Sequence, residues 1–182
     1  MIKRLGTLAA AFAVASLVIT VGPALAGQNT ATLHVAGSVT QSCTAFTPAS
    51  NTLTFSAYDS FANASTPVNA GPVSYTTQCT KNASGVTFQV DGGANYAHTS
   101  GTRALKSTSA TDYLNYALYS DAAHTSPWAF NSGTGAGTPG SALSISSSTA
   151  TQTLTIYGQI PAGQDPSPAT DYADTVTVAV NF

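Results

Sequence analysis

The sequence predicts an all-β fold, a sandwich of short antiparallel strands, from three observations. Only 7% of the 182 residues are charged, against about 25% in an average soluble domain, so Ser, Thr, Asn, Gln and Gly must form the surface. Apolar Val, Leu, Phe and Tyr alternate with Thr and Ser over short runs, which is the two-residue period of a half-buried strand. Turn-forming Gly, Pro, Asp and Asn separate these runs, as in β-sandwiches.

The charge balance excludes several classes of protein. The 5 basic and 7 acidic residues give a net charge of -2, and every acid is Asp. Nucleic-acid binding requires a clustered Lys/Arg surface, which so few bases cannot form. Helical bundles need apolar residues at helical spacing, and no such stretch follows the first segment. Disorder is disfavoured because apolar residues recur throughout the polar tracts.

Residues 1–26 have the three parts of a secretory signal. Lys3 and Arg4 provide the basic start, residues 8–21 are almost wholly apolar, and an Ala-Leu-Ala sequence ending at Ala26 provides a cleavage site. A retained membrane anchor would need about 20 apolar residues, and this run is shorter. We therefore predict export with cleavage after Ala26 and no membrane insertion of the mature chain.

Eight runs in the mature chain are predicted as strands from their alternation. In chain order they are residues 30–39, 52–55, 72–79, 86–91, 113–120, 142–145, 151–160 and 174–182. The connections hold turn formers, most clearly at 91–93, 132–140 and 161–168. No linker or internal repeat divides the mature chain, so a single sandwich domain is expected.

The first and last predicted strands each carry apolar residues on one face. In the first strand these are Ala31, Leu33, Val35, Gly37 and Val39, and in the last they are Val176, Val178, Val180 and Phe182. A strand of this kind needs a neighbour along its edge. The first strand either pairs with the sheet of its own chain or adds to the sheet of another molecule. The alternation alone does not decide between the two.

Cys43 and Cys79 are the two cysteines of the sequence. In an oxidising compartment they are expected to form a disulfide. The loop that this bridge closes is long enough for a stabilisation of about 3–4 kcal/mol in the chain-entropy model. A zinc site is disfavoured because two Cys without a nearby His are a poor ligand set.

No catalytic residue, metal site or cofactor is predicted. The three histidines are His34, His98 and His124, which have neither the spacing of a metal triad nor a neighbouring Cys. The seven Asp lie mostly in turns, where Asp caps its own backbone. The glycines between 133 and 137 resemble a phosphate-binding loop only in composition, because no helix pattern follows them. We therefore do not expect an enzyme.

Several stretches resemble the spore coat protein U domain family, which includes subunits of archaic (Csu-type) chaperone–usher pili. The most specific is Asp-Tyr-Ala-Asp-Thr at 171–175, followed by alternating Val and Thr and a final Phe182. Tyr-Gly-Gln-Ile-Pro-Ala-Gly-Gln at 157–164 and Tyr-Ala-Leu-Tyr-Ser-Asp-Ala at 116–122 are also similar to segments of the family. Cys43 and Cys79 match its paired cysteines. The resemblance covers essentially the whole mature chain.

The resemblance implies an incomplete immunoglobulin-like sandwich that lacks its last strand. Residues 27–40 would be a donor arm, with the apolar face at 31–39 as the donor residues, and residues 41–182 would be the pilin domain. A periplasmic chaperone would first fill the gap. At an outer-membrane usher, the arm of the next subunit would replace the chaperone strand. The apolar face at 176–182 would line the acceptor groove, and the carboxylate of Phe182 would anchor to a base of the chaperone.

The expected function is therefore a structural subunit of a surface pilus, supporting adhesion and biofilm formation. Its partners would be the chaperone, the usher and other copies or related pilin subunits. One alternative is a self-contained coat or outer-surface protein whose first strand pairs within its own chain. A tip adhesin is less favoured, since tip adhesins carry an additional binding domain before the pilin domain.

Overall fold

The computed structural model describes residues 27–98 and 101–182, which contain six strands and confirm the predicted all-β fold. The strands are β1 (Val68–Gln78), β2 (Thr87–Val90), β3 (Arg103–Lys106), β4 (Tyr113–Tyr119), β5 (Thr151–Ile160) and β6 (Val178–Asn181). The predicted signal at 1–26 lies outside the described residues. Residues 27–37 are separate from the unit formed by residues 38–182.

The six strands form two antiparallel sheets. One has the order β1-β5-β4-β3, and the other pairs β2 with β6. In the larger sheet, Val68 of β1 lies opposite Ile160 of β5, and Gln78 lies opposite Thr151. Side chains along β4 and β5 alternate between buried and half-buried, which is the pattern of strands with one face on a core.

The core lies between the two sheets. Its buried residues are Tyr75, Phe88, Val90, Leu114, Tyr116, Leu118, Leu154, Ile156 and Ile160. Val178 and Val180 of β6 pack against this cluster from the smaller sheet. The alternation seen in the sequence therefore places one face of each strand in a shared apolar interior.

The predicted disulfide is confirmed, since Cys43 and Cys79 are bonded with an S–S distance of 2.06 Å. We call this side of the sandwich the disulfide end. β1 ends next to Cys79, and at its opposite end it is preceded by a turn at residues 59–64, where the backbone N–H of Asn63 donates to the carbonyl of Asp59 at 2.7 Å. We call that opposite side the turn end. β6 runs from the turn end towards the disulfide end.

Three predicted strands are not strands in the structure, namely residues 30–39, 52–55 and 142–145. A strand is defined by a backbone partner, and the first two segments pair with no strand among the described residues. The third segment makes two isolated backbone bonds to the stretch before β2: Leu143 N–H donates to the Val86 carbonyl, and the Ile145 carbonyl accepts from Asn82 N–H, both at 2.8 Å. Isolated bonds of this kind do not make a ladder.

Two further differences concern the boundaries of strands. The last predicted strand, 174–182, is regular only at β6, although Ala173 forms a separate bridge with Lys106. Strand β3 was not among the predicted strands, and its first residue is the charged Arg103. Arg103 is nevertheless buried: its guanidinium donates to the carbonyls of Asp91, Trp128 and Val90 at 2.8, 2.9 and 3.0 Å. Burial lowers the pKa of Arg103.

Candidate functional site

Strand β6 has one paired edge and one open edge. Asp91 N–H and Ala94 N–H donate to the carbonyls of Thr177 and Thr175, both at 3.0 Å, so these residues direct their backbone groups towards the β2 side. Successive residues of a strand direct their backbone groups to opposite edges. The N–H and C=O groups of Val176, Val178 and Val180 therefore face the other edge. No strand of the described chain pairs there.

The opposite wall of this gap is the segment at residues 52–57. Leu53 and Phe55 pack against the core, and Gly158 makes this possible, because a Cβ there would lie 2.7 Å from the Phe55 ring. Within the part of the chain that the structure describes, the backbone of residues 52–57 makes no hydrogen bond to other backbone. Two unpaired backbone segments thus face a common gap.

Apolar side chains of the larger sheet form the floor of the gap. An upper cavity of about 220 Å³ is lined by Leu53, Phe55, Val73, Tyr75, Leu105, Tyr116, Leu118, Ile156, Val176 and Val178, among others. A lower cavity of about 970 Å³ extends towards the turn end, over Leu114, Ile160 and Tyr172. Both share Leu53, Phe55 and Leu105. We call the two together the open groove.

Asp174 fixes the C-terminal segment beside the open groove. Its carboxylate accepts hydrogen bonds from the Tyr116 hydroxyl at 2.7 Å, the backbone N–H of Ala94 at 2.9 Å and the side chain of Asn95 at 3.0 Å. Burial, assisted by this bond to Asp174, raises the pKa of Tyr116 well above its usual range. Tyr116 therefore stays a neutral donor, and its ring forms part of the groove floor.

Asp171 holds the same segment three residues earlier. Its carboxylate accepts from the Ser107 hydroxyl at 2.6 Å, the Thr108 hydroxyl at 2.7 Å and the Ser109 hydroxyl at 2.8 Å. These bonds, with the Ser107 hydroxyl first, hold the pKa of Asp171 well below its usual range. Asp171 and Asp174 together attach the segment leading into β6 to the rest of the sandwich.

The structure places the residues predicted for an acceptor groove in three different surroundings. Val176 and Val178 line the upper cavity. Val180 is half-buried and packs on the core and on a small cluster around Cys79. Phe182 is 56% exposed.

The residues predicted as a donor face are exposed. Leu33, Val35 and Val39 are 84%, 85% and 86% exposed, and Ala31 and Gly37 are exposed as well. Three large apolar side chains in one short segment are unusual, since scattered single exposures are the norm for a soluble protein. This segment carries apolar surface that the described chain does not bury.

Sequence reasoning missed most of the groove wall and floor. Leu53 and Phe55 were recognised only as part of a strand, and Tyr58 was not singled out. The spacing of Leu53 and Phe55, two residues apart, was the available sequence signal that both side chains lie on one face. The position of this segment across from β6 depends on long-range contacts, including the bond from the Gln164 N–H to the Tyr58 hydroxyl at 2.9 Å.

The chemistry of the open groove suits an extended peptide. Its walls offer unpaired backbone groups and its floor offers apolar side chains, which are the two elements that strand addition uses. The acids on its lining are Asp59, Asp165 and Asp174. Residues 27–98 and 101–182 contain no group of three or more His, Cys, Asp or Glu side chains arranged to hold a metal. None of these residues forms a helix with the length and hydropathy to cross a membrane.

Comparison with known proteins gives matches of three kinds. The family model of the Spore Coat Protein U domain matches residues 29–179. Protein U of Myxococcus xanthus is 31% identical over 182 residues, which cover 97% of each protein. A chain of the CsuC-CsuE chaperone-tip adhesion subunit pre-assembly complex, from the archaic chaperone-usher Csu pili of Acinetobacter baumannii, is 20% identical with a TM-score of 0.49. That match covers 79% of this chain and 40% of that chain.

Proposed function

The chain belongs to the Spore Coat Protein U domain family, and from this premise we propose that it is a structural, non-enzymatic subunit of a surface fibre that polymerises by donor-strand exchange. The open groove accepts a strand, and residues 27–40 of another copy supply it. One observation supports the proposal most strongly. The unpaired backbone of residues 52–57 and the open edge of β6 face a common gap over an apolar floor.

An inserted strand satisfies both walls at once. Its backbone pairs with the open edge of β6 on one side and meets the backbone of residues 52–57 on the other, each bond contributing about 0.5–1.5 kcal/mol. Its alternate side chains enter the upper and lower cavities. Burying Leu33, Val35 and Val39 contributes about 1.5–3 kcal/mol each. Together these contacts must break before a subunit dissociates, so the junction is long-lived.

The proposal includes the route to the surface. Residues 1–26 direct export and are cleaved after Ala26, a periplasmic chaperone fills the open groove during transit, and an outer-membrane usher exchanges the chaperone for the next subunit. The fibre supports adhesion and biofilm formation at the cell surface. The reason for a chaperone is physical, because an unpaired strand edge beside exposed apolar surface promotes aggregation.

A self-contained coat protein is the second candidate function. The relationship to Protein U and to the family named for a spore coat favours it. In this case no other molecule fills the open groove, and the protein works as a monomer. A monomeric, heat-stable product after expression without a chaperone is the result that this second function predicts.

Deleting residues 27–39 tests donor-strand exchange. The deleted segment is exposed, so the variant is expected to fold and to bind the chaperone but to form no polymer. A synthetic peptide of residues 27–40 should then bind to the open groove of the variant. The readouts are polymer ladders on non-dissociating gels and the melting temperature with and without peptide, which rises when a ligand binds the native state.

A matched peptide with Leu33, Val35 and Val39 replaced by Ser is the control, and it should bind weakly. Ladders of normal length from the deletion variant would contradict the proposal. So would equal melting temperatures with the two peptides.

A further inference from the structure

Phe61 is a large apolar side chain held out into solvent at the turn end. It is 96% exposed, and Phe61 is one of the residues that line the lower cavity. The turn that carries it is well ordered by hydrogen bonds: Phe61 N–H and Ala62 N–H donate to the Asp59 carboxylate at 2.8 and 3.1 Å. Asp59 N–H donates in turn to the Asn63 side chain at 3.0 Å. A fixed turn thus presents a phenyl ring that the described chain does not cover.

The direction of strand insertion decides what lies near this ring. The root of the arm is fixed at the disulfide end, where the Gln41 side chain bonds to Ser84 at 2.9 and 3.1 Å. A fibre that continues in one direction requires the incoming subunit to sit at the turn end, opposite the root of the acceptor's own arm. Because β6 runs towards the disulfide end, the incoming arm must then be antiparallel to β6. Every strand pair of the sandwich is antiparallel as well.

The short root of the arm limits how far apart the two sandwiches can be. Val39 is the last apolar residue of the donor face, and Cys43 is already fixed by the disulfide. Four residues span at most about 14 Å when fully extended. With Val39 at the turn end of the groove, the disulfide end of the incoming sandwich lies within reach of Phe61.

The charges at the two ends are complementary. Asp59 and Asp165 line the lower cavity at the turn end, and Asp165 is exposed. At the disulfide end, the exposed Lys81 lies in the loop beside the arm root, next to Thr80, whose hydroxyl accepts from Ser42 N–H at 3.0 Å. Opposite charges on apposed surfaces favour one orientation of contact.

Building on the proposed function, we infer that Phe61 is a docking residue for a second copy of this chain. It packs against the loop at residues 80–84 of the subunit whose arm fills the groove, and Lys81 of that subunit faces Asp165. The contact lies outside the donor strand itself. It fixes the angle between consecutive subunits and slows their separation.

The test compares fibres of the full exported chain carrying Phe61→Ser with wild-type fibres and with Phe61→Leu fibres. Because the ring is exposed, both variants are expected to fold. Phe61→Ser should speed fibre dissociation in guanidinium by about tenfold, the effect of losing one buried aromatic contact, whereas Phe61→Leu should stay close to wild type. Lys81→Glu should also speed dissociation, and adding Asp165→Lys to the same chain should restore the rate.

A second measurement separates this inference from the proposed function. The variant without residues 27–39 is given the peptide of residues 27–40, with Phe61 intact or replaced by Ser. Equal retention of the peptide by both, together with faster dissociation of Phe61→Ser fibres, supports the inference. Phe61→Ser fibres that dissociate at the wild-type rate overturn the inference. It is also overturned if Phe61→Ser speeds loss of the peptide by the same factor as it speeds fibre dissociation, because Phe61 would then act on the donor strand itself. Failure of the intact-Phe61 protein to bind the peptide at all refutes the proposed function instead.

Discussion

The segment at residues 30–39 and strand β6 have the same alternating pattern and opposite surroundings. Val178 and Val180 pack on the core while β6 pairs with β2. Leu33 and Val35 are 84% and 85% exposed in a segment that forms no strand. Alternation therefore encodes the ability to form one face of a sheet, and a partner edge decides whether the strand forms.

The two regions also differ in how they are held. β6 is preceded by two carboxylates that attach its approach to the sandwich, Asp171 and Asp174. Among the described residues, the contacts that attach the chain next to the segment at 30–39 come after it, with the bond of the Thr40 carbonyl, the bonds of the Gln41 side chain and the Cys43 disulfide. A fixed acceptor and an exposed donor are what exchange between subunits requires, since a donor already buried would have to be released first.

The largest expected effect comes from removing the disulfide, whose Cys43 follows the segment at 30–39 and whose Cys79 lies in the cluster on which Val180 of β6 packs. The bridge closes a sequence separation of 36 residues. Replacing both Cys43 and Cys79 by Ala should lower the free energy of unfolding of the sandwich by about 3–4 kcal/mol. Urea denaturation of the variant and of the wild type measures this difference. A change below about 1 kcal/mol would show that the contacts around Cys79 hold that end without the bridge.

The sequence predicts some regular strands and the disulfide well, but it does not predict features that depend on contacts between distant segments. The period of two located β4 and β5 to within a residue, and the two cysteines in a chain predicted to be exported predicted the disulfide. Strand β3 was not predicted, and neither was the burial of Arg103 at its start. Its three carbonyl partners come together only in the folded chain.

The open groove was predicted on one side only. Val176 and Val178 were expected to line it, by resemblance, and they lie on the upper cavity. The facing wall was interpreted as an ordinary strand at 52–55, because its alternation is that of a strand. Only the three-dimensional arrangement shows that the backbone of this segment faces a gap instead of a neighbour.

The next largest expected effect on stability comes from replacing one apolar residue by Asp, either in β6 or in the segment at 30–39. Val178→Asp puts a carboxylate against the groove floor and should lower the free energy of unfolding by about 2–4 kcal/mol. Leu33→Asp changes a side chain that is 84% exposed, so the free energy of unfolding should change by less than about 0.5 kcal/mol. Urea denaturation of the two unassembled variants measures this difference.

Polymer formation should be lost in both variants, although only Val178→Asp is expected to be much less stable. Both variants should lose polymer, Val178→Asp because its groove no longer accepts a strand, and Leu33→Asp because its arm carries a charge into an apolar cavity. Mixing Leu33→Asp subunits with the wild-type peptide of residues 27–40 should restore strand binding, since their groove is intact. A Leu33→Asp chain that forms polymers as well as wild type would show that residue 33 is not a donor residue.

The smallest expected effect concerns the acid stability of the approach to β6. The Ser107, Thr108 and Ser109 donors hold the pKa of Asp171 below its usual range in the folded chain, whereas an unfolded Asp titrates near about 3.9. The folded chain thus binds this proton less readily than the unfolded chain. The resulting stability is present above about pH 4 and is lost as the pH falls towards the lower folded pKa.

Asp171→Asn removes this contribution, so the variant should be less stable than wild type at pH 7 and should lose less stability between pH 5 and about pH 2.5. Some acid sensitivity should persist, because the Ser167 N–H also lowers the pKa of Asp112. Ser109→Ala removes one hydroxyl donor and should give an intermediate profile. Urea denaturation across this pH range is the measurement. Identical profiles for wild type and Asp171→Asn would mean that the Asp171 bonds do not hold the approach to β6, and the contrast between a fixed acceptor and an exposed donor would then rest on Asp174 alone.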